Sequence, residues 1–336
     1  MTLHTLQYIF LTTSLALVLA RPLMSLARRT GFIDLPGSLP HKRHDRPIPL
    51  AGGWIVSSSV LVGCIFAGLY RNQVILSLVG ASLIVFAFGI WDDRKSLPAS
   101  VKLLGQLAAA SVLVVSGSRV QLFEPSLSWL NLSITFIWMV GITNAYNFVD
   151  SMDGLATGLA ALAGAFFILV TADAGQHDYS LFSAILVGAL VGTYYFNAQP
   201  ARVFLGDSGS QWLGFIIAGL AIAYNPQGYL RIQSWFLPIL LVGVPIFDTC
   251  LVVFSRLRRK NPLFRAGFDH TYHRLVELGL DSNRAVLLMQ FAALLLGCLA
   301  FITLALPPLW GNLIFAACLT LGAVGIIRLG HPVRKN

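Results

Sequence analysis

Gln73-Val-Ile-Leu-Ser-Leu-Val-Gly-Ala-Ser-Leu-Ile-Val-Phe-Ala-Phe-Gly-Ile-Trp91-Asp92-Asp93-Arg94-Lys95 decides the fold. It runs from residue 73 to 91 without a charge and then ends on two acids and two bases. About 20 apolar residues are what a helix needs to cross the hydrocarbon layer, where only a helix or a closed barrel satisfies its own backbone. Working outward, runs of this kind recur at roughly 3 to 25, 49 to 70, 101 to 117, 127 to 146, 155 to 172, 180 to 197, 209 to 225, 233 to 254, 284 to 306 and 309 to 329. With 73 to 91 they make eleven. The expected fold is therefore all-α, a polytopic integral membrane protein of about 11 transmembrane helices.

Composition agrees. Of the 336 residues, 56% are hydrophobic and 11% charged, against about 25% charged in soluble domains. No Lys or Arg precedes Arg21, so the first run lacks the basic leader of a signal peptide and is read as a helix. Cys64, Cys250, Cys298 and Cys318 sit inside apolar runs without paired spacing, which fits packing rather than zinc or disulfides. No soluble insertion interrupts the spans, and residues 1–336 read as a single membrane-embedded domain.

An odd helix count puts the termini on opposite sides, and cytoplasmic loops hold most Lys and Arg. With the N-terminus outside and the C-terminus cytoplasmic, only Arg71, Arg119 and Arg231 of the 23 basic residues fall outside. The net charge of +9 is thereby explained by topology and anionic headgroups, and nucleic acid is not expected as a partner. The cytoplasmic loops are then about 26–48, 92–100, 147–154, 198–208 and 255–283.

The acids follow the same side. Of 14 Asp and Glu, only Glu124, Asp173 and Asp178 belong to outer loops, an asymmetry that topology does not require. Asp92 and Asp93 end one helix, with Lys102 and Gln106 opening the next; this is a metal or acid/base site, or a turn that caps two helices. Asn144, Asn147, Asp150 and Asp153 are spaced by three, which predicts one polar stripe descending a helix face. Polar groups at membrane depth are costly and usually functional. Gly206-Asp207-Ser208-Gly209-Ser210 opens another helix, as an ordinary cap or as a phosphate cradle. Asp269-His270-Thr271-Tyr272-His273-Arg274 lies in the longest inner loop; it lacks further zinc ligands and suits phosphate better. Asp248 is one more acid inside an apolar run, a candidate for facing a cavity. Carboxylates with Asn suit a hard cation such as Mg2+, and nearby Arg, His and Lys suit phosphates. The residues alone thus point to Mg2+-dependent phosphoryl chemistry at the inner membrane surface.

These motifs, together with His44, Pro47, Pro49, Gly52 and Gly53 in the first inner loop, resemble the polyprenyl-phosphate N-acetylhexosamine-1-phosphate transferases, the family that includes phospho-N-acetylmuramoyl-pentapeptide transferase. The resemblance covers nearly the whole chain. It implies that Asp207 and Asn147 hold Mg2+, for which Mn2+ can substitute, and that Asp150 and Asp153 shape the uridine and metal region. It also implies that His270, His273 and Arg274 meet the donor's diphosphate and sugar, with Asp92, Asp93 and Lys102 near the lipid phosphate. His44, Asn144, Gln106 and Ser208 join as substrate-binding residues.

The implied partners are a UDP-sugar, a polyprenyl phosphate and the membrane itself, with a homodimer as one expected assembly. The implied reaction moves N-acetylhexosamine 1-phosphate, GlcNAc 1-phosphate above all, onto polyprenyl phosphate and releases UMP. It is the first membrane step of a cell-envelope polysaccharide. Tyr272 stands where a third His is common, Leu50-Ala51 where an Arg is common, and Ser151-Met152 replace the glycine-containing pair between the acids. These departures favour the UDP-GlcNAc branch over the muramoyl-pentapeptide branch. A secondary transporter using intramembrane acids for ion coupling is the rival of a different class.

Overall fold

The computed structural model describes residues 3–36, 46–226, 234–260, 267 and 269–330. It is all-α apart from one small strand pair, and it divides into two compact units, Met1–Gly228 and Tyr229–Asn336. Among the described residues, seven helices are long and apolar enough to cross a membrane, so the chain is a polytopic membrane protein.

The first unit holds α1 (Leu3–Thr30), β1 (Ile33–Asp34), β2 (Ile48–Pro49), α2 (Gly52–Phe66), α3 (Gln73–Lys95), α4 (Ala99–Val115), α5 (Ser128–Val149), α6 (Leu155–Asp173), α7 (His177–Asn197) and α8 (Gly206–Ala223). At its centre is α8, which is buried on every side from Ser208 to Ala221 and packs against α2, α3, α5 and α6. A helix that is apolar all round belongs in such a place. Close approach is made possible by small residues. A Cβ on Gly53 would lie 2.4 Å from the Gly209 Cα, and one on Gly89 would lie 2.4 Å from the Ser208 Cα. The main chains of α2 and α3 thus rest directly on the first turn of α8.

The stretch leading into α8 is anchored by main-chain bonds. Phe204 N donates to Pro49 O (3.0 Å), Gly52 N to Phe204 O (2.8 Å) and Gly53 N to Leu205 O (3.1 Å). Antiparallel pairing of Ile33 with Pro49 and Asp34 with Ile48 ties this connection to the end of α1. The connection then turns sharply at Gly206, whose φ of 71° lies in the region that glycine enters without steric cost.

The second unit contains α9 (Leu237–Leu241), α10 (Gly243–Arg258), α11 (Thr271–Glu277), α12 (Ser282–Thr303) and α13 (Pro308–Leu329). Here α12 packs against α9, α10, α11 and α13. The run at 233 to 254 is not one continuous helix, because it breaks at Val242 between α9 and α10. Pro245 has no N–H for the carbonyl of Leu241 and its ring crowds that carbonyl, so the helix restarts instead of continuing.

Candidate active site

Six side chains from four helices converge at the start of α8. Asp92 and Asp93 come from the last turn of α3, Lys102 from the first turn of α4, Asn147 from the last turn of α5, and Asp207 and Ser210 from the first turns of α8. Asp207 Oδ1 accepts from Asn147 Nδ2 at 2.5 Å, and the same amide reaches Ser210 Oγ at 3.0 Å. Asp207 Oδ2 lies 3.6 Å from Lys102 Nζ, which also pairs closely with Asp92. The ammonium therefore bridges two carboxylates, of which Asp92 is almost wholly enclosed and Asp207 about one-third open, at 2% and 34% side-chain exposure.

The two adjacent aspartates do different things. Asp92 accepts from Leu97 N (2.6 Å) through Oδ1, which closes the turn between α3 and α4, and gives Oδ2 to Lys102. Asp93 spends both oxygens on main-chain donors, taking the N–H of Asp207 at 2.6 Å and that of Ser208 at 3.1 Å. It caps α8 from another helix, in a place where no side chain of the preceding residue does so. Gly206 makes this possible, since a Cβ there would lie 2.8 Å from Asp93 Oδ2. Ser208 is fully buried behind this cap.

The polar stripe foreseen along residues 144 to 153 is only half helical. Asn144 and Asn147 share α5, but the helix ends at Val149 and Asp150 already has non-helical ψ. Asp153 lies beyond the turn and accepts from Ala201 N at 2.9 Å. Asp150, in the connection between α5 and α6, has its carboxyl held well above the usual range. Burial is the main cause, followed by the charges of Asp207, Asp93 and Asp153.

One helical turn inside the charged cluster lies a layer of amides. Gln106 and Asn144 exchange bonds, Asn144 Nδ2 to Gln106 Oε1 at 2.7 Å and Gln106 Nε2 to Asn144 Oδ1 at 3.3 Å. Gln106 Nε2 also donates to Gln211 Oε1 at 3.0 Å. The sequence reading picked out Gln106 and Asn144 but passed over Gln211, which carries no local signal inside an apolar helix.

In the second unit the motif at 269 to 274 is tied to buried partners. Asp248, 1% exposed, accepts from Thr271 N at 2.6 Å and meets His270 Nδ1 at 2.9 Å. Arg256, Arg259 and Arg274 gather round the Asp269 carboxylate at 3.4, 3.0 and 3.6 Å. Arg274 also pairs with Glu277 (3.0 Å), and the Tyr272 hydroxyl meets His273 Nε2 at 2.5 Å. In sequence Asp269 belongs to the phosphate-suited motif and Arg256 and Arg259 to the inner basic residues, with no sign there that they pair with one another. His44 lies outside the described residues.

Among the described residues no three of His, Cys, Asp and Glu converge on one metal-sized point. That does not oppose Mg2+, which is commonly held by one or two carboxylates plus substrate phosphates. The Asp207 carboxylate and the Ser210 hydroxyl present oxygen donors without sulfur or imidazole beside them, which fits a hard cation. Asn147, whose Nδ2 now faces both, could add its Oδ1 once the amide is turned end for end.

The sequence model described as "Glycosyl transferase family 4" matches residues 75–225, the stretch that carries this cluster from α3 to α8. A decaprenyl-phosphate N-acetylglucosaminephosphotransferase of Mycolicibacterium smegmatis is 32% identical over 315 residues, covering 82% of this chain and 75% of its own. A probable undecaprenyl-phosphate N-acetylglucosaminyl 1-phosphate transferase of Bacillus subtilis is 29% identical over 312 residues, covering 90% and 86%. An undecaprenyl-phosphate alpha-N-acetylglucosaminyl 1-phosphate transferase of Escherichia coli is 27% identical over 305 residues, covering 86% and 80%. With Asp92, Lys102, Asn147 and Asp207 gathered at one end of a glycine-packed bundle and relatives matched along most of their length, this chain belongs to glycosyl transferase family 4.

Proposed function

We propose that this chain transfers N-acetylglucosamine 1-phosphate from a UDP-sugar to a polyprenyl phosphate, leaving a diphosphate-linked lipid and UMP. The observation that carries the reading is the Asp92–Lys102–Asp207–Asn147 cluster at the helix ends, where a cation and phosphates can meet. The names of the relatives supply the class of acceptor and of transferred group. Acids at helix ends, as opposed to the bilayer midplane, favour this over ion-coupled transport.

Asp207 and Asn147 would hold Mg2+, or Mn2+ in its place. The chemistry supplied there would be that of a Lewis acid, offsetting the charge that develops on the transferred phosphoryl group. The chain's own contribution is alignment and charge. Lys102, fixed by Asp92, offers its ammonium to an anionic acceptor. A phosphate monoester has a second pKa of about 6, so the acceptor oxygen is largely deprotonated at neutral pH and needs no strong base. The nucleophile is then an acceptor phosphate oxygen in line with the leaving UMP, and catalysis rests on positioning and electrostatics. His270, His273 and Arg274 are proposed to recognise the donor's diphosphate, which suits the guanidinium-rich surroundings of Asp269. We place the N-terminus outside and the C-terminus in the cytoplasm, with eleven crossings and the cluster on the cytoplasmic face, because that arrangement puts nearly all Lys and Arg inside.

Purified protein in detergent, given tritiated UDP-GlcNAc, undecaprenyl phosphate and MgCl2, is expected to release UMP and label the lipid. Asp207→Ala should lower that rate by at least about 100-fold, the scale for removing a preorganised electrostatic group. Absence of a labelled lipid with every UDP-sugar offered would refute the reading.

A further inference from the structure

Lys102, Asn147 and Asp207 each have an amide one helical turn further into the bundle: Gln106 four residues on in α4, Asn144 three residues back in α5, and Gln211 four residues on in α8. Positions three or four apart share a helix face, so each pair stacks, and the three amides meet each other as the three outer groups do. Gln211 is the odd member. It is 2% exposed and accepts from Gln106 through Oε1, while its Nε2 has no partner among the described residues. A buried donor without an acceptor lowers stability, and an apolar side chain of similar shape would avoid that penalty. Packing alone does not account for a carboxamide at this place in an otherwise apolar helix, and residues that break such a rule tend to serve a site.

We infer that Gln211 is a positioning residue. Through Gln106 and Asn144 it locks α8 to α4 and α5 in one register, and so fixes the mutual heights of Asp207, Lys102 and Asn147. It touches neither substrate nor cation. Its effect reaches the reaction through the orientation of Asp207 relative to the ammonium and the Asn147 amide, as outer-shell hydrogen bonds orient ligands at other metal sites.

This inference rests on the proposed cation site at Asp207, and the experiment separates the two. Gln211→Met removes the acceptor and the unpaired donor at nearly constant volume. Mn2+ binding is followed by electron paramagnetic resonance, thermal unfolding in detergent by intrinsic fluorescence, and sugar-phosphate transfer by the labelled-lipid assay. The variant is expected to unfold no earlier than the parent, to bind Mn2+ about tenfold more weakly and to lose about tenfold in kcat, with KM for UDP-GlcNAc within twofold. Gln106→Leu should lower Mn2+ affinity and kcat to a similar extent but unfold earlier, because it strands Gln211 and Asn144. Adding Gln211→Met should restore part of that stability with little further loss of rate, since both changes cut the same connection.

Unchanged Mn2+ affinity and kcat in Gln211→Met would overturn the inference, as would losses that merely track a lowered unfolding temperature. Were the parent to bind Mn2+ but transfer no sugar phosphate, the function would fall while weakened Mn2+ binding in the variant would still uphold the role of Gln211. A parent that binds no Mn2+ would overturn both.

Discussion

Replacing Asp93 by Asn tests how the start of α8 is held. The carboxylate accepts one N–H on each oxygen, from Asp207 at 2.6 Å and from Ser208 at 3.1 Å. Asn keeps one acceptor and turns an NH2 toward the other N–H. One bond to a charged acceptor, about 1.5–3 kcal/mol, is lost, and a main-chain donor is left unsatisfied. Removing an anion from a helix N-terminus adds up to about 1 kcal/mol. Water can relieve part of this, so the expected net cost is about 3 kcal/mol. At about 2 °C per kcal/mol for a chain of this size, the unfolding temperature in detergent should fall by about 6 °C.

Asp207 N is itself one of the two donors, so the loss is felt at the residue that carries the proposed cation. A displacement of about 1 Å there should reduce kcat about 100-fold. The assay pairs fluorescence-detected unfolding with initial rates of lipid labelling, each at saturating MgCl2. If Asp93→Asn lost that much rate with an unchanged unfolding temperature, Asp93 would be taking part in the chemistry and the capping argument would be wrong.

Two other perturbations probe the same cluster. Lys102→Met leaves the enclosed Asp92 carboxylate without its cation, a loss of about 3 kcal/mol, somewhat reduced because Lys102 is a quarter exposed. Asp92→Asn combined with Lys102→Met should recover more than half of that stability but none of the transfer rate, and simple additivity of the two changes would refute the pairing. Asp150→Asn addresses pH. Because the folded-state carboxyl of Asp150 is raised, stability is fully present below the ordinary carboxylate value of about 4 and is lost as pH rises through the folded value. The unfolding temperature of Asp150→Asn minus that of the parent should therefore be near zero at acid pH and grow toward neutral pH in metal-free buffer. A difference independent of pH would show that Asp150 acts through contacts and not through charge.

The helices were legible because membrane hydropathy is a local property, and almost every apolar run contains one. The run at 233 to 254 misled because the break at Val242 comes from a proline acting four residues back, which a hydropathy window averages away. The site was legible in part. Spacing identified Asn144 and Asn147 correctly as neighbours on a helix, but it could not show that α5 ends before Asp150. The division of labour between Asp92 and Asp93 was hidden because the donors that Asp93 serves lie 114 and 115 positions away along the chain. For the same reason Asp248 stood out as a buried acid, while its partner His270, 22 positions on, could be found only in three dimensions.

The direct contact of main chains at Gly53, Gly89 and Gly209 has a consequence for how such a protein can vary. Where side chains separate two helices, any change of residue volume moves the backbone and whatever it carries. Here the seat of α8 is set by peptide units, which every sequence shares. Changes among the apolar residues farther along α8 should therefore cost stability more than they displace its first turn. The tolerance ends at the glycines, these three and Gly214, whose added Cβ would lie 2.7 Å from the Thr143 Cα; there the smallest addition, one methyl group, would pry the helices apart.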